Sequence, residues 1–433
     1  MSQHKHHGGA LGWLDDAKKH LWLPYTQMQT AAEPLAAVAT EGVRIELADG
    51  RQLIDGIASW WTACHGYNHP HIRNAITDQL SRMPHVMLGG LVNEPASRLA
   101  GRLARLAPGD LDHVFFSESG SVAVEIAMKM ALQYWINRGH KGRTKFVCFR
   151  DGYHGDTLGA MSVCDPDESM HSLFRGALLE QCFVDLPRSR AQHEALDRFL
   201  HSHRHEIAGM IVEPLVQGAG GMKFHSPEIL FDLRALCDRH GLLLILDEIM
   251  TGFGRTGTMF ACTQAEVIPD IMTLSKALTG GTLALAATIA SSAVYQAFLG
   301  GDDAMALMHG PTYMGNALAC AAANASLDLF EREPRLAQVT AIAAHLRDAL
   351  APCAAMPGVV DVRVKGAIGV VQLQDMDRRA RDWFKQRFIA EGIWLRPFGD
   401  IVYTTPPFTI SAGELHQLTG VMVKVIGEWA ARR

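Results

Sequence analysis

The run LLLILDE at 242–248 limits what this chain can become more than any other stretch. Its large aliphatic residues leave no polar face, so as a strand it must be covered on both sides. Strands of that kind belong in the middle of a parallel sheet with helices packed above and below. The short apolar runs HVFF (113–116), KFVCF (145–149), GMIVEP (209–214) and ATIAS (287–291) have the same character. Amphipathic stretches separate several of them. SVAVEIAMKMALQYW sets Val122, Ile126, Met130 and Tyr134 four apart, along one helical face. PEILFDLRALCDRHG reads as a second helix, closed by Gly241. Strand and helix in alternation predict an α/β domain with a mainly parallel sheet over about 61–330.

Residues 331–433 read differently. A helical stretch leads into VVDVRVKGAIGVVQL, which looks like paired strands, and two further helices follow. This segment and residues 1–60 are expected to form a smaller α+β domain; a chain of 433 residues has room for both. With 48% hydrophobic and 20% charged residues the chain has material for a sizeable core. A net charge of −5 gives no reason to expect nucleic acid or an anionic membrane as partner. The 8 cysteines are scattered with no C-x-x-C pair, so free thiols in a reducing cytoplasm are expected, not a disulfide or zinc scaffold. The terminus MSQHKHHGGALGW lacks the apolar centre of a signal peptide. The uncharged stretch 277–301 is broken by glycines and serines, and reads as a buried strand between loops, not a membrane span.

Asp247 closes the central run, at the strand end where open α/β sheets bind ligands. A carboxylate buried there needs a cation or hydrogen-bond donors. Taken alone, a capping or ion-paired aspartate explains it; a protonated pyridine nitrogen explains it as well. Lys276 tips the balance. It ends another apolar run and precedes Gly280-Gly281, a position poorly explained as a solvated charge. A lysine there suits covalent capture of an aldehyde cofactor and proton transfer. SESGSVAVEIAMK (117–129) is a Gly-Ser turn opening a helix, where the N–H groups of Gly120 and Ser121 would receive a phosphate. Such a turn is also a common cap.

These segments, together with LPYTQM (23–28), SWWTACHGYNHP (59–70), DGYHGDTLGAMSVCDP (151–166), VEPLVQGAGGM (212–222), LDEIMTGFGRTG (246–257), LSKAL (274–278), HGPTYMGNALACAAANASL (309–327) and WLRPFGDIVYTTPP (394–407), resemble the class III aminotransferases of fold type I. The resemblance implies pyridoxal 5'-phosphate (PLP) as cofactor. Lys276 resembles the lysine that carries it, Asp247 the partner of its ring nitrogen and Tyr153 the aromatic stacked on its ring. Gly120 and Ser121 resemble the phosphate cup, and Thr312 a phosphate ligand lent by the other subunit of a homodimer with shared sites. Glu213 and Gln217 fall where the class keeps polar groups near the cofactor, and Arg255 on the substrate side.

The SWW and WLRPFG segments point to the branch that aminates the long-chain keto acid of biotin synthesis. There Arg396 is expected to grip the terminal carboxylate. Trp60, Trp61 and Phe398 would wall the methylene chain, with Tyr25 at the pocket mouth and Gly310 also on the substrate. The nearer donor is S-adenosylmethionine, with lysine open. An aminotransferase for another ω-amino acid or a diamine shares the cofactor motifs and stays open too. GFGRTG (252–257) matches a dinucleotide fingerprint, but TMFACTQAEVIPD after it carries a proline and no helical stripe, and the acidic pair Asp247-Glu248 precedes the glycines, so it reads as a loop. The histidines of HSHRH (201–205) alternate with polar residues and suit a solvated face better than a metal.

Overall fold

The structure is a computed structural model and describes residues 12–167 and 172–433; the histidine-bearing terminus lies outside the described residues. A seven-stranded sheet organises the chain. Its order is Leu111–Ser117, Ala286–Ser291, Ile271–Leu274, Leu243–Asp247, Ile207–Val212, Lys145–Phe149 and Cys182–Val184. The run LLLILDE thus supplies the fourth strand of seven, and all its residues are buried. The sheet is parallel except for Ala286–Ser291, which runs antiparallel to both neighbours. Cys182–Val184 was not foreseen; three half-buried residues on an edge are too short to carry a pattern.

The helix Gly120–Asn137 packs on this sheet and is covered more completely than one stripe would require. Ile126 and Met130 are buried, but so are Ala123, Val124, Ala127, Met128, Ala131 and Trp135, while Val122 and Tyr134 are half-buried. The reason is a second neighbour. Gln133 Nε2 donates to the carbonyls of Met305 and Ala306 at 3.2 and 2.7 Å, and Asn137 Nδ2 to that of Met305 at 3.0 Å, pinning an irregular segment over the outer face. The helix Pro227–His240 ends at Gly241 in the left-handed conformation (φ 60°), a cap that costs least without a Cβ. The stretch 277–301 divides into a one-turn helix, the antiparallel strand and a short helix. Among the described residues no helix is long and apolar enough to cross a membrane.

Outside the large sheet, Val359–Lys365 and Ile368–Leu373 form an antiparallel pair continued by Ile401–Thr404. A four-stranded sheet joins the two ends of the chain: Gln52–Asp55 pairs in parallel with Ile393–Trp394. That pairing brings the segment after Asp55 and the segment after Trp394 to one side of the site described next.

Candidate active site

The register of the large sheet assembles the acidic half of a pocket. Leu246 lies opposite Val212, and Asp247 opposite Thr273, so the residues just beyond these strand ends share one rim. Asp247, Glu213 and Lys276 all line a single pocket there, with Ser121, Tyr153 and Trp61 closing it.

Asp247 is almost fully buried and has donors, not a charged lysine or arginine, around it. Its Oδ2 lies 2.7 Å from His154 Nδ1; its Oδ1 accepts from the Ile249 N–H at 3.1 Å and the Thr273 hydroxyl at 3.3 Å. A carboxylate offers about four acceptor positions, so one remains for a group in the pocket. Glu213 is fixed by backbone donors, from Tyr153 at 3.0 Å and Gly218 at 2.9 Å. Burial pushes its carboxyl up to about 7, with the Asp247 charge adding to the rise and His154 opposing it. Lys276 is held in the left-handed region at φ 38°. Burial lowers its ammonium pKa, against the pull of Asp247, Glu213 and Asp156, so this lysine gives up its proton more readily than a solvated one. That amine sits 5.0 Å from the Trp61 ring centre.

The helix Gly120–Asn137 points its N-terminus into the same space, and its first N–H groups have no acceptor within the helix. The turn after Tyr153 closes against it. A Cβ on Gly155 (φ 132°) would fall 2.2 Å from Ser121 Oγ, so only glycine allows this approach. The Ser121 hydroxyl in turn accepts from the Asp156 N–H at 3.1 Å. Tyr25 reaches in from the exposed N-terminal segment: its hydroxyl donates to Asp156 and lies 3.4 Å from that of Tyr153. Burial and the Asp156 carboxylate push Tyr25 up to about 12.

Trp60 and Trp61 arise from a backbone turn that few sequences adopt. Ala58, Ser59, Trp60 and Trp61 are consecutive left-handed residues, with φ of 47°, 45°, 57° and 69°. Each costs roughly 1–2 kcal/mol relative to the right-handed form. The turn sends Trp61 toward Lys276 and Trp60 beneath Arg396, whose guanidinium carbon lies 5.0 Å from the Trp60 ring centre. Among the described residues the Arg396 guanidinium has no hydrogen-bond or ion-pair partner, and the buried Trp61 indole N–H has none either. Tyr403 links the two ends, 6.1 Å from Trp61 and 5.3 Å from Phe398 between ring centres. Trp61 and Trp60, neighbours in sequence and backed by the buried Tyr403, therefore form an aromatic wall between the lysine amine and a free cation.

Gly310 and Thr312 are exposed and lie outside this pocket; the Thr312 carbonyl lies 3.1 Å from His85 Nε2. Gln217 turns away, donating to the Arg150 carbonyl at 2.7 Å. Arg255 is buried, over the Phe408 ring and bonded to the carbonyls of Pro406 and Ala367. GFGRTG is a loop, and no cluster of potential metal ligands occurs among the described residues. Sequence reasoning singled out neither His154 nor Tyr403, though both stand inside quoted motifs. His154 directly follows Tyr153, and Tyr403 lies seven residues beyond Arg396.

A strand-end carboxylate, a half-buried amine and a helix N-terminus in one pocket are what amino transfer on an aldehyde cofactor needs, and residues 26–426 match the family described as aminotransferase class-III. The chain is a class-III aminotransferase. Among the curated relatives of this class-III aminotransferase is an adenosylmethionine-8-amino-7-oxononanoate aminotransferase of Mycobacterium leprae, 46% identical over 96% of this chain and 97% of the relative. A protein of the same description from Corynebacterium glutamicum is 43% identical, over 92% and 95%. The crystal structure of an adenosylmethionine-8-amino-7-oxononanoate aminotransferase from Methanocaldococcus jannaschii superposes with a TM-score of 0.92 at 33% identity, covering 96% of this chain and 99% of that one. An (S)-enantioselective ω-transaminase from Thermomicrobium roseum follows at 0.89 and 30%, over 97% and 98%.

Proposed function

We propose that this class-III aminotransferase uses PLP to aminate 8-amino-7-oxononanoate to 7,8-diaminopelargonate in the cytoplasm, with S-adenosylmethionine as amino donor. The observation that carries the substrate reading is the unpaired Arg396 guanidinium, stacked on Trp60 at the far end of an aromatic wall that begins at Lys276. A keto acid with an apolar chain and a terminal carboxylate matches that wall and that cation. The relatives named above support the same substrate and donor.

The pocket fits the cofactor by the chemistry of its donors. The open acceptor position of Asp247 suits a protonated ring nitrogen, and the first turn of the helix at Gly120 and Ser121 suits a phosphate dianion. Tyr153 offers a ring for stacking. Bound there, PLP supplies an electron sink for the charge left on carbon when a proton is removed. Lys276 would hold the cofactor covalently, then take and return that proton as a neutral amine. His154 keeps Asp247 oriented. Arg396 receives the keto acid's carboxylate, Trp60, Trp61 and Phe398 exclude water along its chain, and Tyr25 closes the mouth beside Asp156. Gly310 and Thr312, exposed in one chain, would complete the site of a second copy in a homodimer.

Visible absorption of the PLP-loaded protein tests this reading. The protein is titrated with S-adenosylmethionine, lysine and γ-aminobutyrate, without keto acid. Loss of the cofactor band with S-adenosylmethionine, restored by 8-amino-7-oxononanoate, is expected. Loss with γ-aminobutyrate alone would keep amino transfer and overturn the substrate. No visible band after added PLP would overturn the cofactor.

A further inference from the structure

The left-handed turn at Ala58–Trp61 does not hold itself. Asp55, at the end of its strand and completely buried, collects the donors at the start of the turn. Its Oδ1 accepts from the Ile57 N–H at 2.9 Å; its Oδ2 accepts from the Ser59 N–H at 2.7 Å and from the Tyr67 hydroxyl at 2.5 Å. With its own proton so committed, the Tyr67 oxygen accepts from the Ser59 hydroxyl. Among the described residues no lysine or arginine pairs with Asp55. A buried carboxylate without a cation is costly unless donors surround it. Here they do, and one of them, the Ser59 N–H, lies inside the strained turn while the Ile57 N–H stands just before it. An amide could not replace it, because donors face both oxygens and an amide presents only one acceptor.

One turn thereby touches both ends of the proposed substrate path, through Trp61 at the Lys276 amine and Trp60 at the Arg396 guanidinium. We propose that Asp55, Tyr67 and Ser59 are positioning residues that set the chain length of the accepted keto acid, by fixing the turn that spans Lys276 and Arg396. This rests on the reading of Arg396 as the carboxylate grip. A loosened turn lets Trp60 move off Arg396, so the far carboxylate loses its fixed grip, while Lys276 keeps its place at the end of its own strand.

The test uses PLP-loaded Tyr67→Phe, Ser59→Ala and Asp55→Asn, with 8-amino-7-oxononanoate and homologues one methylene shorter and longer. For Tyr67→Phe the KM for the natural keto acid should rise roughly tenfold, with kcat and the donor half-reaction within about twofold of wild type. The preference for the natural chain length should shrink in step, and the near-ultraviolet circular dichroism of the tryptophans should change while the variant still melts in one cooperative transition, a few degrees lower. Asp55→Asn should show the larger effect; if it does not fold, the other two variants decide. Unchanged KM and length preference in Tyr67→Phe and Ser59→Ala, or an equal fall in both half-reactions, would reduce the cluster to ordinary core polarity. If the wild-type protein does not aminate the keto acid, the proposed substrate fails separately. The dichroism then decides: an unchanged tryptophan signal in Tyr67→Phe would overturn the cluster's role as well.

Discussion

Lys276 combines a backbone angle that side chains rarely adopt with a half-buried place beside carboxylates. Such strain gathers where a structure must aim one group. Lys276→Ala should abolish turnover, checked by multiple-turnover product formation; sustained turnover would remove the lysine from its role. If Arg396 grips the keto acid as proposed, Arg396→Ala removes a charge-assisted contact worth about 1.5–3 kcal/mol, so the keto-acid half-reaction should slow by roughly 10- to 100-fold. Stopped-flow traces of the donor half-reaction should stay near wild type, and equal damage to both halves would sink the assignment. At this scale the sequence was informative where chemistry coincides with a strand end. Asp247 and Lys276 each close an apolar run, which local pattern reveals. His154 meets Asp247 across 93 positions, and only the fold shows that the two are neighbours.

Among the elements, the docking of the Tyr153–Thr157 turn on the helix at Gly120 has the least tolerance. Gly155→Ala would drive a Cβ to 2.7 Å from Ser121 Cβ and 2.9 Å from its Cα, where no side-chain rotation relieves it. The variant should lose PLP affinity by about tenfold or more and unfold several degrees lower, since overpacking costs about 1–3 kcal/mol. Dialysis against known PLP concentrations and a melting curve check both effects. Five strands of the large sheet and the helices Gly120–Asn137 and Pro227–His240 were legible, because hydrophobic patterning declares them. The Ala58–Trp61 turn was not. No local preference of alanine, serine or tryptophan calls for a left-handed run, and its supports come from Asp55 and Tyr67 on either side in sequence.

For the whole molecule, the carboxyl of Glu213 links stability to pH. Its folded-state pKa, about 7, lies above the ordinary value of 4.5, so between these pH values the folded protein binds more protons than the unfolded chain. Stability must then fall as pH rises through that window, by up to about 3 kcal/mol from this group. The melting temperature of the PLP-free protein should drop between pH 5 and 8, and Glu213→Gln should flatten the slope; parallel slopes would refute the shift. Subunit sharing has its own test. Mixed and reassembled subunits of Lys276→Ala and Thr312→Ala place both defects in one site of each hybrid dimer, leaving the other intact. Activity should recover to about one quarter of wild type if Thr312 serves the opposite subunit. No recovery would place it in its own.

The parallel pairing of Gln52–Asp55 with Ile393–Trp394 has a consequence for biosynthesis. The Thr404 hydroxyl reaches the Gly56 carbonyl across 348 positions, so this junction waits for the ribosome to deliver most of the chain. Closing so long a loop is slow unless earlier contacts have shortened it. The large sheet, whose strands are complete by Ser291, can supply those contacts first. A growing chain would therefore own the proposed cofactor cradle well before the proposed substrate grip, and PLP itself becomes a candidate aid to folding.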